Sequence, residues 1–127
     1  MPLYEAVMMT SLMGDPDIAN LIDDRIYPGV LPPNPILPAV TYQLVSSPRV
    51  LTQDQGAVLA MPRYRWNCFA LTNDEAIQVA VAIAHSAKSA FRGWVDDESD
   101  HHETNTGLFR RRLETLAWTD AAELVTP

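Results

Sequence analysis

The side chains able to do chemistry collect in the last third of this 127-residue chain. Asp96, Asp97, Glu98, Asp100 and Glu103 surround the pair His101-His102, and Arg110-Arg111-Arg112 follow shortly after. Carboxylates and imidazoles are metal ligands, so the first group is the strongest metal candidate in the chain. Adjacent histidines rarely point at one ion, however, and the i, i+4 histidine pair of a helical zinc site is missing. Residues 96–107 therefore read as a solvated acidic loop without a metal. Cys68, with His85 or His101 as base, would make a nucleophilic pair. That thiol falls in mid-strand between Trp66 and Ala70, which reads as a small core residue. No serine sits in a Gly-x-Ser-x-Gly elbow, and the five glycines are too scattered to cradle phosphate. The expectation is a protein that is not an enzyme and has no cofactor.

The arginines carry a different chemistry. A guanidinium is a planar fork that pairs bidentately with carboxylates. On a strand, Arg110 and Arg112 share a face and Arg111 takes the other. They are expected to meet carboxylates either in the same chain's acidic loop or in the next subunit's. Arg110, Arg111 and Arg112, with Asp96, Asp97, Glu98, Asp100 and Glu103, are accordingly the candidate subunit interface.

The elements that must position these groups can be read along the chain. Residues 3–13 form a helix with Leu3, Val7, Met8 and Leu12 toward one face, and Gly14 stops it. Asp15-Pro16 then supplies a cap and a first-turn proline for a short second helix through Ile18, Leu21 and Ile22. Five prolines between positions 28 and 38 keep the next segment extended over the surface. Residues 39–45 alternate as a half-buried strand, and 46–61 read as a protruding loop or irregular hairpin. Residues 63–71 make a clearer, central strand. It places Tyr64, Trp66, Cys68 and Ala70 opposite Arg63, Arg65 and Asn67. Thr72 and Glu75 have capping-box spacing before a helix through Phe91. Its expected stripe is Ile77, Ala80, Val81, Ala84 and Phe91, widened by Val79, Ile83 and Ala90. A short strand over 91–95 enters the acidic loop, and a long strand over 108–119 closes the chain. There, apolar residues on both faces call for burial on two sides or by a partner.

This order gives an α+β fold: an antiparallel sheet of four to five strands, two main helices packed on one face, and protruding loops. Length and an apolar content of 47% fit one domain over residues 1–127. The net charge of −7 excludes the class of proteins that bind nucleic acid through phosphate neutralisation. One cysteine rules out an internal disulfide and points to a reducing compartment. With a poor signal sequence and no apolar run of roughly 20 residues, the chain is expected to be soluble and kept in the cytoplasm.

The series Asp24-Arg25-Ile26-Tyr27-Pro28, Leu37-Pro38-Ala39-Val40-Thr41-Tyr42, Arg65-Trp66-Asn67-Cys68-Phe69-Ala70, Asp74-Glu75-Ala76 and Thr106-Gly107-Leu108-Phe109-Arg110-Arg111-Arg112-Leu113-Glu114 spans nearly the whole chain. In that order it resembles the tail-completion family of long-tailed bacteriophages, the tail terminators and head-to-tail joining proteins. The resemblance implies a subunit of a homo-oligomeric ring, typically a hexamer, that terminates the tail tube and joins it to the head connector. It also implies a virion location in the tail or neck, assembly in the host cytoplasm, and no catalytic residue, cofactor or membrane. The implied partners are the tail tube protein and the connector or stopper, with DNA passing through the lumen without specific binding. A closed ring needs a heterologous interface, and the acidic loop and arginine strand are complementary patches for one. The loops at 96–103 or 46–61 are expected to reach the lumen or an adjoining ring. The alternatives are another neck ring protein (a stopper or minor tail component), a small dimeric ligand-binding α+β module, and an enzyme using the histidines.

Overall fold

The computed structural model describes residues 2–51, 58–90 and 92–124. Helix α1 (Leu3–Met13) and helix α2 (Pro16–Ile22) meet at a sharp corner. The Gly14 amide donates to the Thr10 carbonyl at 3.0 Å, and a Cβ on Gly14 would stand 3.1 Å from that oxygen, so the close approach favours glycine. Asp15 caps α2 by accepting the Asp17 amide at 2.9 Å, and Pro16 occupies the first turn. Helix α3 (Asn73–Ala90) opens as its capping spacing predicts, with Thr72 Oγ1 accepting the Glu75 amide at 3.2 Å.

Both long helices are rotated from their expected faces. Helix α1 buries Tyr4, Met8, Met9 and Leu12 and leaves Leu3 and Val7 exposed. It is apolar almost all round, so its sequence holds no stripe from which to choose a face. Packing chooses instead, and the Tyr4 ring stacks on Tyr64 at 6.1 Å. Helix α3 buries Ala76, Val79, Ala80, Ile83 and Ala87, a run with the spacing of one helical face, while Val81 stays exposed on its flank. Phe91, assigned to that stripe, lies outside the described residues.

The main sheet contains β1 (Ile26–Pro28), β2 (Ala39–Ser46), β5 (Arg63–Ala70), β6 (Gly93–Glu103) and β7 (Leu108–Ala117), in the order β1-β2-β5-β7-β6. A second sheet is made of β3 (Arg49–Leu51), β4 (Val58–Ala60) and β8 (Thr119–Asp120). The fold is α+β, with the helices on one face of the main sheet. Strand β1 runs parallel to β2, and the other pairs are antiparallel. A parallel pair needs a crossover, and the proline-rich stretch 29–38 is that crossover. The irregular hairpin expected at 46–61 is the β3–β4 pair, with its middle outside the described residues.

The segment 96–107 corrects the sequence reading most. Rather than a loop, it is largely strand: β6 pairs with β7 from Gly93–Ala117 to Glu103–Leu108. Only residues 104–107 turn, where Gly107 takes a φ of +74°. Its polar side chains hid the strand, because an edge strand with charges on both faces shows no apolar alternation. The strand expected over 108–119 ends at Ala117, where the chain passes exposed Trp118 and enters the second sheet as β8.

The core lies between the helices and one face of β2, β5 and β7. Trp66 sits at its centre, wholly buried, with Tyr42 at 5.6 Å and Tyr64 at 6.1 Å between ring centroids. The Trp66 indole N–H donates to Thr115 Oγ1 at 3.0 Å, which satisfies a polar group the core would otherwise strand.

Candidate functional site

Strand alternation sends Arg63, Arg65 and Asn67 of β5, and Arg110, Arg112 and Glu114 of β7, to the sheet face away from the helices. Arg111 points to the helical side, opposite Cys68 in register. Glu114 is buried at the centre of the open face. Arg63 reaches it at 2.9 Å, Arg65 at 3.0 Å and Arg112 at 3.9 Å. Burial alone would raise the Glu114 carboxyl, but the hydrogen bonds and charges of the surrounding arginines outweigh it and hold the group below its usual range.

A register shift between Val95 and Asp97 organises the acidic strand around this row. It lets Asp96 reach Arg63 at 2.6 Å while Asp97 reaches Arg112 at 3.3 Å. It also resets the alternation, so that Glu98 and Asp100 face the helical side and clamp Arg111 at 2.9 and 2.7 Å. Six of the eight candidate interface residues thus form ion pairs within the chain. Arg110 and Glu103 have no ion pair among the described residues; the Glu103 carboxylate accepts from the Thr106 hydroxyl at 3.2 Å, closing the turn. Arg63, Arg65 and Glu114 belong to the same network but are missing from the sequence candidates. Their phase was the available signal, since Glu114 follows Arg110 and Arg112 at steps of two.

Above this face lies a hollow of about 600 Å³, walled by the crossover from Gly29 to Pro35 and by the β6–β7 turn. Three buried polar atoms on its lining lack a hydrogen-bond partner: Arg110 Nε, Arg112 Nε and Asn67 Oδ1. The Asn67 amide nitrogen is held by Thr41 Oγ1 at 3.4 Å, so its other end is left over. The two guanidinium donors are suited to holding an acidic group through charge-assisted hydrogen bonds, whereas the Asn67 oxygen is an acceptor and calls for a donor. A second, more apolar groove of about 480 Å³ runs between α3 and the edge strand, past Val81, Ala84, Trp94 and Val95.

The remaining reactive groups are placed apart. Cys68 is wholly buried, and burial pushes its thiol up to about 12, although Arg111 pulls the other way. In register, His101 lies opposite Arg110 and His102 opposite Phe109, so the two histidines take opposite faces; His102 stacks on Phe109 at 4.4 Å. Among the described residues no three His, Cys, Asp or Glu side chains converge as a metal site. No helix of the described residues is long and apolar enough to cross a membrane.

Fold and site together define the class: a small two-layer α+β protein whose most distinctive surface is a charged, partly buried sheet face. Residues 6–120 match the family described as "Tail completion protein gp17", and the chain belongs to that family. It is a tail-associated structural component of a phage-like virion. The fold is similar to that of a chain in a solved structure described as "Virion of native gene transfer agent (GTA) particle", with a TM-score of 0.69 over 94% of this chain and 96% of that one. At 18% identity the likeness concerns the fold. No curated protein matches the chain in sequence.

Proposed function

We propose that copies of this chain close into a ring, a hexamer, that terminates the tail tube and joins it to the head connector. The observation that carries this reading is the family match over residues 6–120. The similar fold found within a gene transfer agent virion supports it. The protein then works in the neck of the particle after assembly in the host cytoplasm, without cofactor or catalysis. Tube protein lies on one side and a connector or stopper on the other. DNA passes through the lumen without specific binding, in keeping with a net charge of −7. The subunit contact draws on the β6–β7 hairpin, where Arg110, Arg111 and Arg112 lie beside Asp96, Asp97, Glu98, Asp100 and Glu103. The in-chain ion pairs stiffen that hairpin, so that it is presented in one shape.

Negative-stain imaging of the purified protein, together with deletion of its gene in the producing particle, tests the reading. A ring with a central hole, and overlong or unjoined tails on deletion, are the expected results. A monomer at every concentration, or normal joined particles after deletion, would overturn it.

A further inference from the structure

Resting on that ring reading, we infer that the hollow on the open sheet face receives the acidic corner Asp23-Asp24 of a neighbouring copy, with Arg110 as the receiving cation. Three observations carry the inference. First, the hollow is chemically incomplete. Arg110 has no ion pair among the described residues, and the donors Arg110 Nε and Arg112 Nε are buried without a hydrogen-bond acceptor. Buried polar atoms of this kind are costly to leave unpaired, and a carboxylate is the acceptor a guanidinium fork fits best.

Second, the same chain offers a complementary group. Residues 2–25 carry Glu5, Asp15, Asp17, Asp23 and Asp24 against Arg25 alone. Arg25 forms no ion pair with them among the described residues; its guanidinium donates to the carbonyls of Pro38 and Leu21 at 3.0 and 3.5 Å. Asp23 and Asp24 are exposed and have no ion pair among the described residues.

Third, the acidic corner and the receiving arginine belong to different strands, β1 and β7, three places apart in the sheet. Asp23-Asp24 lie one residue before the edge strand β1, separated from it by Arg25, whereas Arg110 lies on β7, next to the other edge strand β6. A contact between them is heterologous and leaves a pair of copies with one free corner and one free hollow. A ring of more than two copies requires a contact of this kind.

Sedimentation velocity of the full chain at low and moderate salt tests the inference with two variants, Arg110→Glu and the double change Asp23→Arg with Asp24→Arg. Each is expected to raise the protein concentration needed for assembly at least tenfold, while the thermal midpoint of the monomer stays unchanged. An equimolar mixture of the two should recover assembly in part, because the intact corner meets the intact hollow and the reversed corner meets the reversed hollow. Assembly of the wild-type chain should weaken as salt rises. If Arg110→Glu forms rings at the wild-type concentration, the inference fails and the ring reading stands. The same holds if that variant forms normal rings but loses the tube protein, which would make the tube protein the occupant. If the wild-type chain never assembles, both fail together.

Discussion

The two faces of the central sheet are made by the same strands and solve opposite problems. Toward the helices, β5 sends Tyr64, Trp66, Cys68 and Ala70 into a closed core, and the one Trp N–H there finds Thr115. Away from them, the alternate residues Arg63 and Arg65 join Arg112, Glu114, Asp96 and Asp97 in a network of ion pairs, and Asn67 donates to Thr41. The first face is closed by apolar packing and, among the described residues, leaves only Ser86 Oγ and Arg111 Nε buried without a hydrogen-bond partner. The second is complete around Glu114 and incomplete toward Arg110, where polar atoms remain unpaired. A face sealed by apolar packing contributes stability, whereas a face left with unpaired donors is a place for another molecule. The comparison therefore separates residues whose loss unfolds the chain from residues whose loss would disconnect it.

Four changes probe that division, in falling order of effect on stability. Trp66→Ala removes the centre of the dry face and strands the Thr115 hydroxyl. A loss of about 3–5 kcal/mol in chemical denaturation is expected, enough to leave little folded protein. A loss below about 1 kcal/mol would mean that the core is not centred there.

Glu114→Gln keeps the shape of the open face and removes the charge shared by its arginines. A loss of about 2 kcal/mol near neutral pH is expected, since hydrogen bonds to charged groups are the strong ones. Because the folded carboxyl is held below its ordinary value of 4.5, its contribution is present above that pH and disappears as pH falls through the lower folded value. Melting curves of wild type and variant should therefore converge in acid. Parallel curves across that range would mean the arginines do not stabilise the carboxylate.

The smallest effects sharpen the contrast on β7 itself. Arg111→Ala breaks two exposed ion pairs and should cost less than about 1 kcal/mol, shrinking further in high salt. Arg110→Ala should leave stability within about 0.5 kcal/mol, since no ion pair within the described residues holds that side chain. A larger cost for Arg110 than for Arg111 would reverse their assigned roles.

Much of the architecture was legible along the chain because it is governed by local rules. Caps at Asp15 and Thr72, the glycine stop after α1 and the strict alternation of β5 all follow from neighbouring residues. The edge strand β6 was not legible. Its charges satisfy one another across to β7, and that partnership exists only after the strands pair. The buried faces of α1 and α3 differ from the expected stripes for a related reason: an abundance of apolar side chains says that a helix is buried without saying which way it turns.

For the acidic and arginine-rich groups that began the sequence reading, residue type alone determined that carboxylates and guanidinia would attract one another, and alternation that Arg111 would part from Arg110 and Arg112. Only the tertiary structure decided who pairs with whom. The register shift at Asp96 assigns Asp97 to Arg112 and sends Glu98 and Asp100 to Arg111, and the fold brings distant Arg63 and Arg65 to Glu114. A one-residue change in register moves every following side chain to the other face, and nothing local in the sequence announces it. That is why the unpaired position of Arg110 could be seen only in the folded chain.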